Sequence, residues 1–336
     1  VAVIKAKADK VVSIALAIME KNLVSPLLSF RIPDAGAVFN GAKNDTVTLK
    51  VGGLRAVARD YEWRTRTNPI VMDDIEGEGG MAFKLDRHVV SATGLTLEQL
   101  TLDEISMIED VVGPQAVAVA GKLEAHVLAK FAAIPWKREV PTFTAGDDPF
   151  LVSAEAKRLL DMDKVAPASG RAYLIGSNVG AAWRTSDRLS KYDSTGQEGT
   201  PALRDAIIGR LNGSPVVESL DVDPNFAWYG HTSALAVANV APVVPGGAKT
   251  GTRGISRLGF AGTWIIDYDP NFARDRSLFH AFAGMTDIRD ERDANGDLLD
   301  PTGDGYADAK NVRGVKMTFN AGTNGGAVFP PADPTP

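Results

Sequence analysis

Apolar residues at Val11, Val12, Ala15, Leu16, Met19 and Leu23 recur at helical spacing, predicting an amphipathic helix that stops near Ser25, ahead of Pro26. About four turns of helix are marginal alone, so this one must lie against another element. Beyond the glycine-marked stretch 36–41 the period changes to two. Val47, Leu49 and Val51 alternate with Thr46, Thr48 and Lys50, the pattern of a strand with one covered and one wet face. Gly52-Gly53 turns the chain into a basic strand carrying Arg55, Arg59, Arg64 and Arg66 beside Tyr61 and Trp63. Asp73, Asp74, Glu76 and Glu78 follow, ending at a Gly79-Gly80 turn, and Phe83, Leu85 and residues 87–89 return this excursion toward the body.

The helical period resumes over 101–133. Thr101 with Glu104 has capping-box spacing, and Ile105, Ile108, Val112, Val119 and Leu123 carry an apolar stripe to Phe131, ended by Pro135. Gly113-Pro114 leaves two forms open, one bent helix or a short helix followed by a longer one. About 30 helical residues span roughly 45 Å, enough for the backbone of a flat subunit. An arm and a ribbon with little of their own to bury are stable mainly where a neighbouring subunit covers them, so the layout points to an assembly before an enzyme.

Farther along, 139–148 reads as a loop, 152–162 as an amphipathic helix, 171–175 as a buried strand and 178–184 as the start of another helix. The polar stretch 191–199 is expected to be a mobile loop. Residues 203–211 read as helical, Val216-Val217 begins a strand, and 234–240 is a small-residue helix or strand. A second flexible stretch, 242–251, precedes two antiparallel strands, 258–268 and 277–283, joined through Asp269-Pro270 and the run Arg274-Asp275-Arg276. The tail alternates acid-rich turns with short strands, notably 314–319, and its Gly- and Pro-rich end is expected to be loosely held. No short tandem repeat suggests a solenoid.

The 336 residues suffice for two lobes or for one lobe with extensions. The 36 basic residues against 42 acidic ones do not make the basic field that broad nucleic-acid binding needs, although a shell whose inner face tolerates packed DNA meets this condition. The absence of cysteine removes disulfide scaffolds, thiol nucleophiles and thiolate metal sites. Apolar residues near the N-terminus are interrupted too often for a secretory core, and no stretch has the length of a membrane span, so a soluble intracellular product without its initiator methionine is expected.

Candidate chemistry is weak throughout. Asp293, Asn295 and Asp297 have the opening spacing of a calcium loop, but Leu298 stands where glycine is needed and Asp304 where glutamate is, leaving an acidic turn or a weak cation site. The segment 176–180, Gly-Ser-Asn-Val-Gly, follows a strand and opens a helix without a dinucleotide or phosphate-loop spacing; helix capping explains it. Gly246-Gly247-Ala248-Lys249-Thr250 also lacks the phosphate-loop spacing. His88, His126, His231 and His280 form no ligand pair in sequence, and no nucleophile elbow occurs. No catalytic residue and no cofactor are predicted. The Tyr61, Trp63 and arginine group suits a protein interface, a packed surface or stacking on nucleic acid, with the acidic run weakening the last. Pairing of that basic strand with Asp73, Asp74, Glu76 or Glu78 of another copy is the expectation, against a solvated hairpin as the plain alternative.

The chain resembles the major capsid (coat) protein of tailed bacteriophages, most closely the P22 coat-like branch with its actinobacterial-phage relatives. The likeness begins in the arm 23–39 and in Gly41-Ala42-Lys43-Asn44-Asp45-Thr46-Val47. It continues in Phe83-Lys84-Leu85-Asp86-Arg87-His88-Val89, Leu95-Thr96, Leu100-Thr101-Leu102-Asp103, and Leu123-Glu124-Ala125-His126. It extends to 203–216, which looks like the family's helix, turn and strand leading through its upper domain. These are structural patterns, persuasive in their shared order over roughly 10–290.

The resemblance implies an α+β capsid fold: an N-terminal arm (1–39), an extended loop (40–92), a peripheral domain (93–154) with a spine helix, an axial domain (155–257) and return strands (258–290). A C-terminal extension (291–336) without a match would be an added outer or intersubunit feature. The large inserted domain of the P22 coat is not evident. The implied function is self-assembly as pentamers and hexamers into an icosahedral, noncovalent phage head enclosing double-stranded DNA, contacted without sequence specificity. The implied partners are a scaffolding protein, a portal at one vertex and, in some relatives, a decoration protein, with no membrane. The implied location is the virion capsid, assembled in the host cytoplasm. A shell around enzymes, and a carbohydrate-binding surface protein, are the alternatives.

Overall fold

The computed structural model describes residues 8–23, 28–32, 46–51, 64, 79–96, 107–165, 170–186, 207–256, 260–289 and 309–321. The N-terminal helix α1 (Ala8–Asn22) buries Val11, Val12, Ala15, Leu16 and Met19, as its spacing predicts. Strands β1 (Phe30–Arg31), β2 (Thr46–Val51), β3 (Gly79–Lys84) and β4 (Arg87–Thr96) follow, β2 and β3 forming an antiparallel two-stranded sheet. The long helix α2 (Gly113–Ala133) is entered through a wide π-helical turn, Met107–Val112. Pro114 has no N–H to offer the preceding turn and its ring crowds the carbonyl four residues back; the wider turn relieves both. The interrupted pattern therefore resolves into one continuous helical path. Its expected cap at Thr101 and Glu104 lies outside the described residues.

Strands β5 (Trp136–Phe143), β6 (Arg171–Ile175), β7 (Ile207–Leu211), β8 (Ser214–Glu218) and β9 (Phe226–His231) build a second region with helices α3 (Pro149–Met162) and α4 (Ser177–Thr185). The chain then returns through β10 (Leu235–Val240), β11 (Thr250–Ile255), β12 (Ala261–Asp269) and β13 (Arg274–Asp287), and ends its described course in β14 (Asn311–Phe319). One six-stranded sheet runs β1-β10-β13-β12-β11, with β4 on the other edge of the long β13; a second runs β5-β14-β9-β6-β8-β7.

Helices α1 and α2 cover one face of the first sheet. Val12, Leu16 and Met19 from α1 and Val119 and Leu123 from α2 share a core with Val89, Trp264 and Phe279. The α3 and α4 side chains Val152, Leu160, Val179 and Trp183 pack on the second sheet against Tyr173, Tyr229, Met317 and Phe319. A third cluster joins the two regions: Phe131 and Ile134 at the end of α2 meet Trp136, Trp228, Leu174 and Val237. Here Gly314 of β14 stands opposite Gly230 of β9. A Cβ at Gly314 would overlap both Trp228 and Trp136, so glycine is what lets the two indoles close over the sheet.

Several expectations are corrected. Residues 139–143 are not loop but the second half of β5, whose Trp136, Val140 and Phe143 are buried. Pro141 obscures this strand, yet β5 is an edge strand and bonds only to β14, so the missing N–H costs nothing there. Residues 207–211 are not helical but strand β7, because Asn212 and Gly213, at φ 49° and 83°, close a tight hairpin with β8 that fits the right-handed twist of paired strands. Residues 234–240 resolve as a short 3-10 turn and strand β10.

The division of the chain also differs from the sequence expectation. Strand β5 and the start of helix α3 (149–154), expected with the spine helix, belong with the second sheet, while β10 and β11, expected in the axial domain, pair with β13 and β12. Residues 311–319, expected in an added extension, form an interior strand, parallel to β5 and antiparallel to β9. Val315, Met317 and Phe319 are buried there, so this part of the tail completes a core instead of decorating a surface.

Candidate functional site

The residues singled out for intersubunit contact sit mostly beyond what the structure describes. Arg64 is described and exposed; Arg55, Arg59, Tyr61, Trp63, Arg66, Asp73, Asp74, Glu76 and Glu78 lie outside the described residues, as do Asp293, Asn295 and Asp297 of the acidic turn. What the structure does show is how the excursion that carries the first group is rooted. Phe83 of β3 is buried and seated over Gly284 of β13, in a small cluster with Ile32, Ala236 and Ala238. The chain turns at Asp86 into β4, which runs beside β13 from Arg87, opposite Ala283, to Thr96, opposite Arg274.

The platform beneath this root is held by two polar networks. Gln115, in the first turn of α2, donates to the Ser277 carbonyl (2.9 Å) and to Thr93 Oγ1 (3.0 Å). Its own carbonyl accepts from Ser277 Oγ (2.9 Å), which in turn accepts from Trp264 Nε1 (3.0 Å). Every polar group of this buried chain is satisfied, which fixes the axial position of α2 on three strands. At the other end of α2, Lys130 Nζ lies 2.8 Å from Asp287 Oδ1, and Arg289 Nε donates to Asp287 Oδ2 at 2.7 Å. Burial alone would raise the Asp287 pKa; the hydrogen bonds from Lys130 and Arg289 outweigh it and hold the carboxyl below its ordinary value.

Two of the remaining sequence candidates have local structural roles. Amides at the start of α4 are used by the neighbouring loop: Asn178 N donates to the Pro224 carbonyl (3.1 Å) and Gly176 N to that of Phe226 (2.8 Å). His231 Nδ1 accepts from Ser233 N (3.1 Å), capping the 3-10 turn. Among the described residues no group of three or more His, Asp and Glu is placed to hold a metal ion, and no helix is long and apolar enough to cross a membrane.

Sequence reasoning passed over a surface feature at the tip of the β12–β13 hairpin. Phe272 is 67% exposed and Tyr268 44% exposed. The Arg274 guanidinium lies 4.8 Å from the centre of the Phe272 ring, Asp269 accepts from Asn271 N (3.1 Å), and Arg276 approaches Asp269 (3.6 Å) and Asp267 (3.7 Å). Cation–π and turn contacts thus preorganise an aromatic and arginine tip, the residue types that anchor protein interfaces. A second exposed apolar site is Leu151 on α3, 65% exposed. The signal in the sequence was Phe272 itself, the one aromatic residue in the turn Asp269-Pro270-Asn271-Phe272-Ala273-Arg274.

Compared with known protein families and with characterised proteins, the sequence matches none. Compared with solved structures, the fold matches closely in extent and distantly in sequence. A chain from Mycobacterium phage Che8 is 16% identical, with a TM-score of 0.55 over 88% of this chain and 90% of that one. The capsid structure of Cyanophage P-SCSP1u gives 8% identity and a TM-score of 0.53 over 87% and 86% of the two chains. The mature capsid of bacteriophage PhiM1 gives 11% identity and a TM-score of 0.52 over 89% and 87%.

Proposed function

From the α+β fold that this chain shares with the major capsid proteins of tailed bacteriophages, we propose that it is a structural subunit, not an enzyme, which self-assembles into an icosahedral phage head. The observation that carries the proposal is the likeness to phage capsid structures over nearly nine-tenths of both chains. A match of that extent is a likeness of architecture, not of one shared motif.

Assembly follows from the parts by simple physics. The platform of α1, α2 and the first sheet is a rigid body. The Phe272 tip projects from it, and the excursion that carries the arginine group is rooted on it through Phe83. Each projecting contact is small, and several neighbours acting together turn weak contacts into a stable lattice. Arg55, Arg59, Tyr61, Trp63, Arg64 and Arg66 would be covered by adjacent copies, with Asp73, Asp74, Glu76 or Glu78 of another copy as their acidic partners. Pentamers and hexamers of the chain, a scaffolding protein during assembly in the host cytoplasm, a portal at one vertex, a decoration protein and nonspecifically contacted double-stranded DNA complete this reading. Placement in the P22 coat-like branch rests on the segments 23–39, 41–47, 83–89, 95–96, 100–103 and 123–126; 203–216, whose described part 207–216 folds as a hairpin, lends it less support than the sequence suggested.

Light scattering on a size-exclusion column tests the proposal. Particles of many copies, forming across a range of protein and salt concentrations, are expected. A monomer that persists across that range would refute it.

A further inference from the structure

The four histidines are scattered in sequence, but two of them meet in the fold. The register sets His88 of β4 opposite Phe282 and His280 of β13 opposite Val90, which makes the histidines diagonal neighbours. Val89, Phe279 and Ala283 face the core under α1 and α2, so His88, His280 and Phe282 share the opposite face of the sheet. His88 Nε2 lies 3.0 Å from His280 Nδ1, and the ring centres are 5.3 Å apart. The His88 ring also lies 4.6 Å from that of Phe282. His280 is 7% exposed and its Nε2 has no hydrogen-bond partner, whereas His88 is open to solvent.

Counting protons shows what this contact tolerates. With both rings neutral, one N–H lies between the two nitrogens. One added proton is still compatible, since a protonated His88 can donate from Nε2 to an unprotonated Nδ1 of His280. A second proton is not. Two N–H groups would then point at each other across 3.0 Å, and the buried His280 would be a cation with nothing to pair it. The surroundings offer no relief. On the same face β13 adds Leu278 and Phe282, and β4 adds Val90 and Ala92; β12 sets Thr263 opposite His280, its hydroxyl donated to the Pro242 carbonyl. From β10 comes Val240, opposite Phe282, and from β3 the exposed Lys84, a further positive charge. Asp86 and Arg87, next to His88 in the chain, approach each other at 3.5 Å and act on His126 of α2.

We propose that His88 and His280 form a pH-sensitive latch that fastens the foot of β4, where the 40–92 excursion rejoins the body, to the return strand β13, and that acid opens it. Burial, and after it the His88 charge, lower the proton affinity of His280 in the closed seam. The open seam, like an unfolded chain, binds protons with the ordinary histidine pKa of about 6.5. Opening therefore takes up protons, and the closed form loses ground as the pH falls from about 6.5 toward the lower value of the closed state.

The latch is a property of the single chain, so its test is separate from that of assembly. Hydrogen exchange of the full chain, read by mass spectrometry from pH 7.5 to 5.0 and corrected for intrinsic rates, reports protection at 84–92 and 276–284. Wild type is expected to lose protection there as the pH falls below the ordinary histidine range. His280→Phe is expected to abolish that step, and at the exposed partner His88→Phe is expected to diminish it, since the burial of His280 remains. Flat protection in the wild type, or an undiminished step in His88→Phe, would overturn the latch. So would a step that disappears with His126→Asn instead.

Discussion

The link from Gln115 through Ser277 to Trp264 joins side chains 162 residues apart in the chain and leaves no polar atom of the group unpaired. Removing the amide takes the acceptor from the buried Ser277 hydroxyl, so Gln115→Ala is expected to cost about 1–3 kcal/mol, seen as a lower urea midpoint at unchanged slope. Asp287 makes a prediction with a sign. Its carboxyl pKa is depressed in the folded chain, so its contribution is complete above the unfolded value near 3.9 and is lost as the pH falls through the folded value. Asp287→Asn should therefore be less stable than wild type at pH 7, and the gap should close on titration toward pH 3; a constant gap would mean that the Lys130 pair contributes nothing. Neither network was legible in the sequence. Gln115 is one polar residue in an apolar stripe, and nothing local says that its partners lie on β4 and β13.

At the scale of elements, periodicity was a good guide to helices α1 and α3, each with one buried and one exposed face. Strand β2 and the β12–β13 pair were also read within a few residues at their ends. Periodicity was a poor guide where a local signal was misread. Proline at 141 concealed an edge strand, and the helix-compatible run 203–211 outweighed the Asn212-Gly213 turn that closes β7 on β8. Strand β14 was recognised as a strand but not as an interior one, because its neighbours β5 and β9 come from far earlier in the chain. Its placement predicts that Gly314→Val, which drives a branched side chain into Trp228 and Trp136, destabilises by at least about 1–3 kcal/mol, with a red shift of tryptophan emission as the indoles are exposed. An unchanged melting temperature would argue against the closed indole pair. Gly213→Ala, at φ 83°, is expected to cost about 1 kcal/mol in the same assay.

The whole molecule was legible in outline, because an arm, a long excursion and a spine helix in that order are recognisable even where each is individually weak. Surfaces that would meet another copy carry no periodic signal of their own, and most of the residues singled out for that role lie outside the described residues. The Phe272 tip separates folding from assembly: Phe272 is 67% exposed, so Phe272→Asp should leave monomer stability within about 0.5 kcal/mol while lowering the yield of large particles, as read by sedimentation. Equal loss of both would make the residue a part of the fold and not of the interface. The most direct measurement is electron microscopy of the purified particle. Closed icosahedral shells with five- and six-fold units, whose subunit density accommodates both sheets and α2, are the expected result. A field of single chains, or of open aggregates without symmetry at every concentration and salt tried, would contradict the assembly of this protein into a phage head.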